Sequence, residues 1–311
     1  MASPPDPADG IVGRGFAPGG LQRVACVLCG GTDLRRTVRL RERWLLTCGE
    51  CGVRLTDTYA EGAPVADYYS DVQAHHGKLG DSLAQSEGAL RAIARDQADE
   101  MEGLCGPRRF GRFLEVGCSR GHLLQEMAAR GWDVSGIEVS RTSAAAAGSI
   151  GGVHCGTPED APFTAGSFDR VGMFDVLAHL PDPRRTLEAT VRLMAPGASL
   201  VLSTVNEDWR LVPLFLRAFK VAPERTAHLR DEMYEGQHYC YFSASNIGRL
   251  LESVGLTVHE IRPLEPLSTR FFVHQYSPRR RLMLLGMVQM DRLLRSSRKM
   301  LVLAKKPGRA F

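Results

Sequence analysis

Two sets of residues in this sequence are spaced for chemistry. The first is four cysteines, Cys26-Val-Leu-Cys29 and Cys48-Gly-Glu-Cys51, a C-x2-C pair repeated after 18 intervening residues. Thiolates at that spacing suit tetrahedral zinc, and four of them leave no open coordination position. Cys26, Cys29, Cys48 and Cys51 are therefore expected to hold a structural Zn2+. Gly30 and Gly52 follow the two pairs, where a metal knuckle turns tightly. The second set begins at Glu115-Val-Gly117-Cys-Ser119-Arg-Gly121. An apolar run over residues 113–116 stops at Gly117, and helically spaced Leu123, Leu124, Met127 and Ala128 follow. Such a strand-to-helix turn through small residues lets a ligand approach backbone amides. A dinucleotide fingerprint begun at Gly117 needs glycine at 119 and 122, where Ser119 and His122 stand, so a nicotinamide oxidoreductase is disfavoured. Glu138 ends a second apolar run and offers its carboxylate to a ribose diol.

The elements that must position these residues are readable in outline. From residue 113 to about 262, strand-like runs (113–116, 134–137, 171–174, 200–203, 256–261) alternate with helix-like runs (123–128, 184–194, 245–254). That alternation predicts a mostly parallel sheet with helices on both faces. Ser243 or Ser245 is the expected N-cap of the helix that Gly255 closes. The expected organisation is a disordered lead-in over 1–20, a zinc-ribbon-like module over 21–60, a helical connector over 61–110 and an α/β domain over 111–311. Within the last, residues 206–237 form an insertion on the substrate side, and 277–298 form a basic amphipathic helix.

The ordered motifs resemble those of the class I S-adenosylmethionine-dependent methyltransferases. Glu115, Gly117 and Gly121 fit that family's first motif, with Ser119 in place of its middle glycine. Gly136-Ile-Glu138-Val139-Ser140 fits the ribose segment, and Gly156-Thr157-Pro-Glu159-Asp160-Ala-Pro162-Phe163 resembles the adenine-side loop, with Thr157 for the usual Asp. Phe174-Asp175-Val-Leu-Ala178-His179-Leu-Pro-Asp-Pro183 and Leu193-Met-Ala-Pro196-Gly197 follow in the family's order. The resemblance spans residues 112–261. It implies a Rossmann-like seven-stranded sheet whose last strand, near 300–304, runs antiparallel, and S-adenosyl-L-methionine bound by Glu115, Gly117, Ser119, Gly121, Glu138, Val139, Thr157, Glu159, Phe174 and Asp175. The cysteine pairs and the Asp67-Tyr68-Tyr69-Ser70 segment before such a domain resemble the layout of bacterial small-molecule methyltransferases, including sugar C-methyltransferases of antibiotic pathways.

Methyl transfer needs a positioned nucleophile and often a base. His179, just past the fourth strand, and His238, before a late helix, are the candidates; the alternative is a helix-capping or core-edge histidine for the first and a structural hydrogen bond for the second. Trp209, His228 and Tyr234 are expected to line the substrate side and Tyr69 to close over the cofactor; Cys105, Cys118, Cys155 and Cys240 are read as packing residues. The strand-4 exit lacks the Asn/Asp-Pro-Pro-Tyr of nucleic-acid amino methylases, and there is no Cys-x3-Cys-x2-Cys for radical chemistry, so a hydroxyl or acidic carbon of a small molecule or sugar in a biosynthetic pathway is the expected acceptor. The alternatives are an RNA methyltransferase gripping RNA with the ribbon, disfavoured by modest basicity, and a non-catalytic cofactor-binding scaffold. Net charge is +4, 44% of residues are hydrophobic and 24% charged, which fits a soluble globular protein. No apolar run reaches transmembrane length and no secretory signal is evident, so the reducing cytoplasm is the expected compartment. The basic helix leaves contact with an anionic membrane surface open as an alternative to packing on the core, and the sequence leaves the oligomeric state open.

Overall fold

The computed structural model describes residues 21–22, 24–40, 43–59, 87–106, 111–234, 238–264 and 278–308. The lead-in over 1–20, the Tyr68-Tyr69 segment and the side chain of His228 lie outside them. The N-terminal strands are β1 (Leu21–Gln22), β2 (Leu34–Arg39), β3 (Trp44–Cys48), β4 (Arg54–Thr56) and β5 (Thr58–Tyr59). Helix α1 (Glu87–Cys105) follows. Then come β6 (Arg112–Val116), α2 (His122–Ala129), β7 (Asp133–Glu138), α3 (Arg141–Ala147), β8 (Gly152–Cys155), β9 (Phe168–Phe174), a 3-10 turn (Leu177–His179), α4 (Pro183–Leu193) and β10 (Met194–Val205). Last are α5 (Val212–Val221), α6 (Ala227–Met233), β11 (Cys240–Tyr241), α7 (Ala244–Ser253), β12 (Thr257–Leu264), α8 (Pro278–Leu294) and β13 (Lys299–Lys305).

The main sheet has seven strands in the order β12-β13-β10-β9-β6-β7-β8. Its central pairs are parallel, and β13 runs antiparallel to both β10 and β12. The strands buried on both faces read as apolar runs, as parallel strands must. β8 carries no such run; as an edge strand with no fully buried residue it escapes a reading by hydrophobic pattern. Helix α4 starts at Pro183, N-capped by Asp182, whose carboxylate accepts from Arg185 N–H at 3.1 Å. It ends one residue earlier than the sequence suggests, because Met194 already pairs with Phe168 ahead of a bulge that runs to Ser199. Helix α7 opens with a capping box, in which Ser243 and Asn246 satisfy each other's backbone amides.

The ribbon strands β2, β3 and β4 form an antiparallel sheet, and its fourth strand is β11, nearly two hundred residues later in sequence. Cys240 pairs with Leu55 and Tyr241 with Arg54. One apolar cluster accordingly runs from Leu28, Val53 and Leu55 of the ribbon into Leu114, Met173, Leu187 and Leu251 of the α/β domain. A second, containing Val38, Leu45, Trp209, Phe219, Tyr234 and Tyr241, ties the ribbon to the insertion helices α5 and α6.

Candidate functional site

The chain order reverses between β6 and β9, and open α/β sheets bind ligands at the carboxyl edge of such a switch point. The loops that follow Val116, Glu138 and Phe174 emerge at that edge of β6, β7 and β9. Gly117 follows β6 with φ +77°, and a Cβ there would lie 2.4 Å from Val176 Cγ2 in the loop after β9. Glycine is required both for the turn and for this contact across the switch point. Gly121 caps α2 with φ +82°, and a Cβ there would meet Ile150 Cδ1 at 2.5 Å. Ser119, in the place of the family's middle glycine, also adopts a left-handed conformation, φ +47°. The departure therefore keeps the backbone shape at some conformational cost.

Two carboxylates lie beneath this turn. Glu138 accepts from Ser119 N–H and Ser140 N–H, both at 2.8 Å, one on each oxygen. Val139 N–H faces the same carboxylate, so three backbone amides orient it. Burial raises its pKa, although the backbone donors pull the other way. Glu115 is buried, and its Oε2 has no hydrogen-bond partner. Burial, aided by the neighbouring Glu138 charge, pushes its pKa up to about 8. A buried carboxylate without a partner is costly unless a cation arrives. The pair fits a ligand that carries both an ammonium group and a ribose, as S-adenosylmethionine does. Val139 is half-buried beside Glu138, and Phe174 lies at the end of β9.

The remaining cofactor-side candidates are placed less simply. In the adenine-side loop, Asp160 accepts from Thr157 N–H at 2.7 Å and contacts His154 at 3.1 Å, which leaves Thr157 exposed at the tip. Glu159 turns the other way and accepts from the Thr186 hydroxyl of α4 at 2.8 Å. Asp175 stands in a left-handed conformation, φ +57°, held by its N–H to Ser203 Oγ at 3.2 Å and by an ion pair with Lys299 Nζ at 2.5 Å.

The two candidate bases, 59 residues apart in sequence, meet. The His179 and His238 rings lie 4.4 Å apart, centroid to centroid, at 63°. Their segments are joined by Tyr239 N–H donating to Ala178 C=O at 2.7 Å. His238 retains part of its surface, but its Nδ1 is buried without a partner. Burial first, then the positive charges of His179, Arg298, Lys299 and Arg43, hold its pKa well below the ordinary imidazole value, so the ring is neutral at physiological pH. Tyr241 packs edge-on against His238 at 5.7 Å, and Tyr234 against Tyr241 at 5.0 Å. Trp209 and Tyr234 are buried in the insertion core, where Trp209 Nε1–H donates to Asp291 of α8 at 2.5 Å. Both are packed inside that core rather than open to a ligand, unlike the lining role expected from sequence.

In the ribbon, Cys26 Sγ lies 3.5 Å from Cys51 Sγ and Cys29 Sγ lies 3.6 Å from Cys48 Sγ; all four sulfurs fall within 4.8 Å of one another. Tetrahedral zinc with bonds of about 2.3 Å sets its sulfurs about 3.8 Å apart, so the donor set fits that ion. The two knuckles are near copies. Gly30 N–H donates to Cys26 C=O at 2.8 Å and Gly52 N–H to Cys48 C=O at 2.9 Å, with φ of +76° and +75°.

Sequence reasoning missed Ser203 and Lys299, which hold Asp175, and the arginines around His238. Each of these residues reaches the site from a distant strand or loop, and no local motif marks them.

A family model described as "Methyltransferase domain" matches residues 88–261, more than half of the chain. The ubiquinone biosynthesis O-methyltransferase of Aromatoleum aromaticum is 33% identical over 129 residues, which cover 39% of this chain and 53% of that protein. Its counterpart in Psychrobacter arcticus is 32% identical over 187 residues, covering 56% of this chain and 68% of that one. The chain thus spans about half the length of the first relative and two thirds of the second. Among solved structures, phosphoethanolamine N-methyltransferase 2 of Haemonchus contortus, in complex with S-adenosyl-L-methionine, superposes with a TM-score of 0.50 at 15% identity, covering 68% of this chain and 52% of that one. That likeness is one of fold.

Proposed function

The chain belongs to the methyltransferase domain family, and from that premise we propose that it transfers the methyl group of S-adenosylmethionine to a hydroxyl or an acidic carbon of a small molecule or sugar in a biosynthetic pathway. The observation that carries this reading is a pair of incomplete half-sites at one sheet edge: the unpartnered carboxylate of Glu115 on one side and the unpartnered Nδ1 of His238 on the other. Glu115 would meet the ammonium of the cofactor, Glu138 its ribose diol, and the 117–121 turn would lie against its tail. Thr157 would face the adenine side, while Glu159, turned toward Thr186, would steady that loop against α4. Phe174 and Asp175 would border the reacting centre. Bound there, the cofactor supplies a methyl group on an electrophilic sulfonium.

His238 is the base in this reading. Its ring is held neutral, so it is free to take a proton from an acceptor that reaches its exposed part, and the His179 ring restrains it from one side. The O-methyltransferase names of the relatives support a hydroxyl as acceptor. The four cysteines would hold a structural Zn2+ in a reducing cytoplasm. No helix among the described residues is long and apolar enough to cross a membrane. The RNA-gripping alternative loses ground at the ribbon surface: Arg36 and Arg39 already stack on Trp44, at 5.4 and 5.2 Å, and Arg35 is engaged by Asp33.

Calorimetric titration of the zinc-loaded chain with S-adenosylmethionine, and separately with NADH, tests this. Saturable binding of the sulfonium that disappears in Glu138→Ala is the expected result. Failure to bind it overturns the reading. Binding without turnover on a panel of hydroxyl and carbon-acid acceptors favours the non-catalytic scaffold.

A further inference from the structure

We propose that the cysteine ribbon is the positioning element of the acceptor histidine: with its metal bound it fixes the strand behind His238, and it acts there without acting on the cofactor half. The inference rests on the proposed roles of the four thiolates and of His238.

His238 enters β11, a strand of two residues. So short a strand cannot hold its own position, and its ladder partner is β4 of the ribbon. Thr56 N–H donates to Tyr239 C=O at 3.0 Å, while Tyr239 N–H donates to Ala178 C=O at 2.7 Å. The residue next to His238 is thus hydrogen-bonded to the ribbon on one side and to the His179 turn on the other. Glu207, whose N–H bonds Phe242 C=O just past β11, is ion-paired with Arg54 of β4.

The ribbon is in turn held by its knuckles. Arg184 of α4 donates to Leu28 C=O, between the first two cysteines, at 2.6 Å. Arg249 of α7 donates to Cys51 C=O, in the second knuckle, at 2.9 Å. Each knuckle therefore presents one carbonyl to one guanidinium from the α/β domain. Those carbonyls point correctly only while the knuckles keep their shape, and four thiolates around one ion impose that shape. Arg184 and Arg249 are positioning residues: they touch neither acceptor nor cofactor. The cofactor turn is wired differently. Ser119, Glu138 and Ser140 are bonded among themselves within β6, β7 and their loops.

The test is the Arg184→Ala/Arg249→Ala double variant of the full chain, loaded with zinc. It needs no identified acceptor. Three quantities are read: bound metal by thiol-release colorimetry, S-adenosylmethionine affinity by calorimetry, and the His238 ring signal by NMR, assigned with His238→Gln. Expected are retained metal, cofactor affinity within about twofold of the parent, as for uncoupled distant sites, and a displaced His238 signal that titrates closer to the ordinary imidazole range. The Arg184→Lys/Arg249→Lys variant, which can still donate to both carbonyls, should restore much of the parent signal. An unmoved His238 signal overturns the proposal, and so does a cofactor affinity that falls in step with it. Should the double variant fail to fold, stripping and restoring zinc in the parent chain gives the same reading: a His238 signal indifferent to the metal refutes the link. If the parent binds no S-adenosylmethionine, it is the methyltransferase reading that fails, while the response of His238 to zinc still decides this one.

Discussion

The cofactor half and the acceptor half of this molecule solve opposite problems. Around β6 and β7, the protein buries a carboxyl group without a partner: Glu115 has an orphan oxygen and a pKa pushed up to about 8, so it holds its proton at neutral pH. Around the ribbon, polar groups are paired across long stretches of chain, Arg184 with Leu28, Arg249 with Cys51 and Arg54 with Glu207. The first half, as proposed, is a receptor whose stability is withheld until a ligand arrives; the second is a scaffold of paired groups around four clustered thiols. Receptor and scaffold should therefore respond differently to mutation, metal and pH.

The largest effect expected is on the scaffold. Cys48→Ser should abolish metal binding and lower the melting temperature by about 10 °C or more, because ribbon and domain share one apolar core. A stable zinc-free variant with an unchanged melting curve would show that the ribbon is not metal-organised. Next, His238→Ala should slow methyl transfer about 10^2- to 10^4-fold, the usual range for losing a general base, at unchanged cofactor affinity. Because its pKa is held below the ordinary value, the acid limb of the parent's kcat/KM profile should fall below pH 6.5. A limb at or above that value would shift the role of base away from His238.

The receptor half gives the third and fourth tests. Glu115 is ionised in the unfolded chain above its ordinary pKa of 4.5 but holds its proton in the fold up to about 8, so the fold loses stability as pH rises between those values. Glu115→Gln removes that loss. It should stabilise the ligand-free protein by about 3 kcal/mol at pH 7, with the gain shrinking toward pH 4.5, while weakening cofactor binding about tenfold. Denaturant titration across this pH range reads it, and a pH-independent difference would contradict the buried, unpaired carboxylate. The smallest effect is at Ser119, whose left-handed φ of +47° suits glycine better. Ser119→Gly should leave cofactor affinity unchanged and stabilise the chain by about 1 kcal/mol or less, the relief of strain being partly offset by unfolded-state entropy.

The same contrast decides what could be read from sequence. The cofactor half is local: Ser119 and Glu138 bond across 19 residues, and a strand, a turn and the next strand print their apolar runs and glycines in order. The four-cysteine cluster was legible for the same reason, since each pair sits on a turn of a few residues. The place of the ribbon was not, because its knuckle contacts span 156 and 198 residues and use arginines that look like any solvated helix charge. His179 and His238 could each be singled out by position, but their contact could not, since it depends on a two-residue strand with no hydrophobic signature. Edge strand β8 was lost to the same lack of pattern, while α4 and β10 were blurred by a helix that gives way to a strand without a loop.

The placement of β13 has a consequence in time. Residues 299–305 lie between β10 and β12, inside the sheet rather than at its rim. On the ribosome, the cofactor turn and the knuckles are synthesised early, yet the sheet that carries them has a gap until that segment emerges. Two strand edges, one on β10 and one on β12, wait unpaired through that interval, and unpaired edges invite other chains. A chain stalled before residue 299 would thus hold a nearly finished binding turn on an open sheet, and the closing step of folding would come after most of the protein had already been made.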